Sequence, residues 1–140
     1  MANVTSQQDV SEHPNATRIR ELFAAFHARD IDSIRNAISE SAAWHFPGRS
    51  GQLAGSHSGH AGIFAFMARV SELTEGTFEL DLEEVLANDR CAVAFFRGRG
   101  RRRGRKLDNP TCLKIQLRDG RATEIWEYVW DLYAVDGFWA

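Results

Sequence analysis

The feature that most constrains this chain is its second half. From about residue 77 to residue 133 it reads as four strand-like segments with connections too short for a crossover helix. The segment TFELDLEEVLA sets Phe78, Leu80 and Leu82 against Glu79, Asp81 and Glu83, an alternation that marks a half-buried strand. NDR then turns the chain into CAVAFFRGR, an arginine run leads to PTCLKIQL, and RDGR turns into ATEIWEYVWDLY. Strands joined by tight turns pair antiparallel. A sheet of this kind has one face to bury, so something must cover it.

The first half supplies the cover. Ile19, Leu22, Phe23 and Phe26 fall at i, i+3, i+4 and i+7, one apolar stripe of a helix. ARDID breaks that helix, and Ile31, Ile34 and Ile38 predict a short second one. AAWHF reads as a brief strand, ended by the glycine-rich PGRSGQLAGSHSG. Ile63, Phe66, Met67 and Val70 predict a third helix, and the aromatic tail AVDGFWA is expected to pack back on the body. Residues 1–14 read as a flexible arm, and residues 15–140 as a single domain. The class is α+β, three helices on one face of a curved antiparallel sheet.

Bulk properties narrow the function. Seven of the 17 basic residues lie in RGRGRRRGRK, Arg97–Lys106, which leaves 10 to set against 19 acidic residues. An acidic body with one basic stretch is unlike a nucleic-acid-binding domain, which is basic overall. Between two apolar strands, the run reads as a solvated hairpin whose glycines suit positive φ. Binding of an anionic partner is the alternative, and nucleic acid is not an expected partner because no aromatic platform accompanies the run. Cys91 and Cys112 form no disulfide framework and read as reduced residues of a cytoplasmic protein. No apolar run is long enough for a membrane helix. Neither metal-ligand spacing nor a phosphate or dinucleotide fingerprint is present, so no cofactor is expected.

The element order, with WHFPG at 44–48, GHAGIFAFM at 59–67, DGRATEIW at 119–126 and WEYVWDLYAVDGFW at 126–139, resembles the nuclear transport factor 2-like superfamily. Within it the chain is similar to the SnoaL-like polyketide cyclase group, whose relatives include ketosteroid isomerases and limonene epoxide hydrolase. The resemblance covers about residues 16 to 139. It implies a cone: a bent sheet around a deep pocket, closed by helices. It also implies a homodimer and a hydrophobic, partly oxygenated small-molecule substrate. Cofactor-free acid/base chemistry would follow: cyclisation, isomerisation, or hydration and epoxide opening.

Residue by residue, the resemblance is uneven. The polar positions of ketosteroid isomerases fall on Leu22, Phe46 and Leu113, all apolar, so steroid isomerisation is not expected. The epoxide-hydrolase pattern of a tryptophan followed by a catalytic aspartate falls on Trp126 and Asp131, and its arginine on Arg97. Arg99 stands where that family has its second aspartate. SnoaL-like cyclases also place an acid/base aspartate at Asp131.

By strand alternation, Ile125, Glu127, Val129, Asp131 and Tyr133 share one face, which the resemblance assigns to the pocket. Glu124, Trp126, Tyr128, Trp130 and Leu132 then form a convex face that a second copy would cover. A carboxylate on an apolar wall has a raised pKa suited to proton transfer. The candidate catalytic residues are therefore Asp131, Arg97, Glu127 and His60. The candidate lining residues are Trp44, Phe46, Ile63, Met67, Leu113, Ile115, Ile125 and Val129. An alternative is a non-catalytic ligand-binding or dimerisation module of the same fold.

Overall fold

A computed structural model describes residues 12–140. Most of the stretch read as a flexible arm, residues 1–11, lies outside the described residues. Of the rest, Glu12 holds the Arg20 guanidinium at 2.6 Å and His13 caps the first helix, its side chain accepting from the Asn15 amide at 3.0 Å. That helix, α1, runs Pro14–Ala28 with proline at its start, where a missing N–H costs nothing. Arg29 ends it in the left-handed region at φ 56°. Asp30 caps α2, Ile31–Ala37, by accepting from the Ser33 amide. Strand β1 is Ile38–Phe46, β2 is Gly55–Ser58, and α3 is Gly59–Leu73.

The remaining strands are β3, Glu79–Ala87, β4, Cys91–Arg102, β5, Arg105–Arg118, and β6, Arg121–Val129. A last helix, α4, spans Leu132–Phe138. The β4–β5 and β5–β6 hairpins each turn on two residues, Arg103–Gly104 and Asp119–Gly120. All four have φ between 50° and 76°, the turn that matches strand twist.

The six described strands form one open, curved sheet in the order β2-β1-β6-β5-β4-β3. Irregularities at Ile38/Ala43, Leu82/Glu84 and Gln116/Leu117 interrupt the pairing, as bulges that bend a sheet do. Helices α1 and α3 cover the concave face, α1 over β3 and β4 and α3 over β1 and β2. The core lies between, around Ile19, Leu22, Phe96, Ile115 and Ile125. No described helix is long and apolar enough to cross a membrane.

Four expectations need correction. The sheet is not wholly antiparallel, since β1 pairs parallel with β6. The glycine-rich stretch ends in β2, an additional edge strand. The arginine run is strand for most of its length: Gly98, Gly100 and Arg102 face inward while Arg97, Arg99 and Arg101 face out. Inward glycines let the strand approach Phe78 closely, because a Cβ at either position would stand 3.3 Å from its ring, a tighter contact than side chains usually make. Finally, β6 stops at Val129. The Trp130 amide donates to the Pro110 carbonyl at 3.0 Å, and a fourth helix follows. The tail does pack back, with Phe138 and Trp139 buried.

Candidate functional site

The concave face and the helices packed around it surround a cavity of about 960 Å³, the upper end of what small-molecule sites need. Aromatic rings make its deep wall. Trp44 and Phe46 come from β1, and both lie against Phe66 of α3 with centroids 5.3 and 5.6 Å away. Phe96 and Trp139 complete the wall. Of the sequence-derived lining residues, Trp44, Phe46, Met67, Leu113 and Val129 line this cavity. Ile63, Ile115 and Ile125 do not. Each is at most 1% exposed and packed between sheet and helices, so they are core rather than wall.

Glu127 faces the cavity from β6, directly across from Leu113 of β5. It is half-buried, and its Oε1 accepts from the Trp44 indole N–H at 3.1 Å. Burial pushes its carboxyl up from 4.5 to about 7, and the Trp44 hydrogen bond offsets only part of that. At neutral pH the group is therefore divided between acid and base, the condition under which one side chain can both take and return a proton. The other acid on the lining, Glu79, is exposed.

The other expected catalytic groups take different places. Asp131 is not a strand residue of the pocket wall. It is the exposed cap of α4, its Oδ1 accepting from the Ala134 amide at 3.0 Å, and it does not line the cavity. The physical reason is the end of β6 at Val129, after which alternation no longer fixes which way a side chain points. Arg97 lies on the outer face, where its Nε donates to Asp108 at 2.8 Å and that carboxylate raises the guanidinium's pKa. Asp108 also accepts from Arg99, which reaches Asp81 at 3.0 Å. The relay of Arg97 with Asp131 is thus not assembled. His60 does line the cavity, at the start of α3. Its Nε2 donates to the Ile38 carbonyl at 2.7 Å, which leaves Nδ1 as its other nitrogen.

Sequence reading missed Asn109 and Thr111, which face the cavity from β5 and are buried. Thr111 donates to the Asn109 carbonyl at 3.1 Å, and the Asn109 amide bonds the Pro110 carbonyl at 2.9 Å. Asn109 Oδ1 also accepts from the Asp131 amide at 3.3 Å, fastening the start of α4 to the cavity floor. The signal was present. Leu107, Asn109, Thr111, Leu113, Ile115 and Leu117 alternate without a break, but Pro110 makes the strand seem to begin later. Arg102 was missed as well. It is 6% exposed and donates to the Phe138 and Ala140 main-chain oxygens at 3.4 and 2.8 Å, while Arg105 reaches Gly137 at 3.0 Å. Among the described residues no three His, Cys, Asp or Glu side chains gather as a metal ion would require.

A bent open sheet, helices over its concave face and a desolvated carboxyl in an aromatic cavity of small-molecule size define a cone-fold domain. The chain belongs to the SnoaL-like domain family, whose model matches residues 19–125, within the nuclear transport factor 2-like superfamily. It is 30% identical over 123 residues to the uncharacterized protein Rv0034 of Mycobacterium tuberculosis, covering 87% of this chain and 93% of that one. Among solved structures it is similar to Bal32a from a soil-derived mobile gene cassette, with 37% identity, a TM-score of 0.86, and coverage of 91% and 97%. It is also similar to TerC co-crystallized with polyporic acid, with 28% identity, a TM-score of 0.78, and coverage of 90% and 98%.

Proposed function

We propose that this protein is a small-molecule enzyme that moves a proton inside an apolar cavity, with Glu127 as general acid/base. The observation that carries the reading is the Glu127 carboxyl, on an aromatic wall, held by the Trp44 indole and poised near neutrality. In the ionised form it removes a proton from a carbon beside a carbonyl. Once protonated it returns that proton to another carbon or to the oxygen. Isomerisation or ring closure of a polyketide- or terpenoid-like molecule needs only this and a shape that aligns the reacting atoms. His60, through Nδ1, would be a second proton carrier nearer the opening. The polyporic acid crystallized with TerC supports an aromatic-sized organic ligand for this cavity.

Deuterium exchange tests the reading. The purified protein is incubated with 1-indanone, an apolar ketone with enolisable hydrogens, in D₂O, and exchange is followed by NMR. Wild type should accelerate exchange, with a rate inflecting near pH 7, and Glu127→Gln should not. Equal rates in both proteins would discard Glu127 as the proton carrier. A second reading, a ligand-binding module without chemistry, is favoured by the apolar Leu22, Phe46 and Leu113. It is supported if 1-indanone binds and does not exchange.

The reading includes a homodimer acting in the cytoplasm. On the outer sheet face Tyr128 and Phe95 are exposed, and Trp126 lies between the His45 ring and the Lys114 ammonium. That apolar stripe is the surface a second copy would bury.

A further inference from the structure

The mouth of the cavity carries a charge pattern that its interior lacks. Arg29 stands just after α1, and Arg35 in the last turn of α2. Both are exposed and both line the opening, with His27 and His60 beside them. Arg35 is held in place by Phe64, its guanidinium carbon 4.9 Å from the ring centroid, and His60 meets the same ring edge-on at 6.0 Å. Among the described residues neither arginine has an acid within 4 Å or a side-chain hydrogen bond. Arg20, Arg69, Arg97 and Arg99 pair with carboxylates, and Arg102, Arg105 and Arg121 bond main-chain oxygens. Arg18, Arg49, Arg90, Arg101, Arg103 and Arg118 are as free as Arg29 and Arg35, and what sets these two apart is that they alone among the described arginines line the cavity. Asp30, on the same stretch, has its carboxylate occupied by the Ser33 amide and hydroxyl, and neither it nor Asp32 lines the cavity. The acid at this rim is Glu79; the only other lining acid, Glu127, is deeper among the aromatic rings.

We infer that the cavity takes an amphipathic oxyanion. Its flat apolar body lies against Trp44, Phe66 and Met67, and its carboxylate, sulfonate or enolate sits at the mouth between Arg29 and Arg35. A guanidinium stacked on an aromatic ring keeps its donors in a fixed plane, which suits planar oxyanions. The inference rests on the cavity being the ligand site, and it adds the substrate class: the charged end stays at the rim, and the uncharged end reaches Glu127.

Two fluorescent probes of similar body separate these points. 1-Anilinonaphthalene-8-sulfonate carries an anion, and N-phenyl-1-naphthylamine does not. Both should bind and displace one another. The double variant Arg29→Met/Arg35→Met should lose about tenfold in affinity for the sulfonate, about one charge-assisted contact. It should keep its affinity for the neutral probe, which also shows that the variant folds. Added NaCl should weaken the sulfonate alone. Undiminished sulfonate binding in the double variant, or wild-type affinities that are equal and indifferent to salt, would overturn the anionic class while leaving the cavity reading intact. Binding of neither probe would overturn both.

Discussion

Replacing Glu127 by Gln should stabilise the protein, and only at neutral and alkaline pH. The wild-type carboxyl is displaced from 4.5 to about 7 by burial. At about 1.4 kcal/mol per pH unit, the ionised form costs at most about 3.5 kcal/mol in the fold, and somewhat less because Glu127 borders a cavity open to water. The sign follows from which state holds the proton. Below pH 4.5 both the folded and the unfolded chain are protonated and no penalty exists. Between 4.5 and about 7 the unfolded chain gives up its proton while the folded chain keeps it, so stability falls as pH rises. Above that range both are ionised and the full cost remains. Glutamine keeps an oxygen for the Trp44 N–H and never ionises. Its advantage should therefore grow from a small constant at pH 4 to about 3 kcal/mol at pH 8, or about 10 °C in Tm for a chain of this size. Urea unfolding followed by tryptophan fluorescence, repeated from pH 4 to 8.5, measures the difference. Parallel stability curves for wild type and Glu127→Gln would refute the desolvated carboxyl, and with it the acid/base role.

Other outcomes follow from the same contacts. Asp131→Ala should cost about 1 kcal/mol through the lost cap of α4 and leave any exchange activity and its pH profile unchanged, as read by Tm and by NMR. Arg102→Met should lower Tm by about 3 °C or more and redden tryptophan emission, because the turns of α4 that place Trp139 lose their donor. The Asp136 carboxylate accepts from the Arg49, Ser50 and Gly51 amides, which hold its pKa below 3.8. The stability it adds is therefore complete above that pH and lost as the medium is acidified through the lower folded value. Asp136→Asn should shrink the acid-side fall in Tm between pH 5 and 2.

The sheet and the helices over it were legible because each rests on a period that burial imposes. That pattern puts Trp44, Phe46, Met67 and Leu113 on inward faces, and the resemblance supplies the pocket they line; Ile63, Ile115 and Ile125 share the pattern and are core. The pattern failed where two backbones share one sequence signature. Val129, Asp131 and Tyr133 continue the alternation of β6, yet the pairing with β5 makes its last bond from Trp130 to Pro110 and Asp131 is already the cap of α4. Asp131 is a favourable cap residue, and its helix is only seven residues long, too short to show a stripe. The arginine run misled through composition. Its Arg-Gly alternation is a strand pattern in which the small residues face in, although its composition is that of a loop. β2, with only Gly, Ser and His, carries no strand signature. The resemblance to families with a last-strand aspartate moved attention from Glu127 to Asp131, four residues and one turn away.

The pairing of β1 with β6 bears on how such a chain comes into being. Trp44 and Glu127, 83 residues apart, meet only across that parallel seam. On the ribosome, the nascent chain can build its hairpins in order as they emerge, since each needs only its immediate predecessor. The first strand must wait for the sixth. Until then its aromatic face has no neighbour on that side, and the carboxyl that tunes the cavity has not been made. Docking of β6 both joins β1 to the rest of the open sheet and sets the Glu127 carboxyl against Trp44, so no partly synthesised chain carries the assembled cavity.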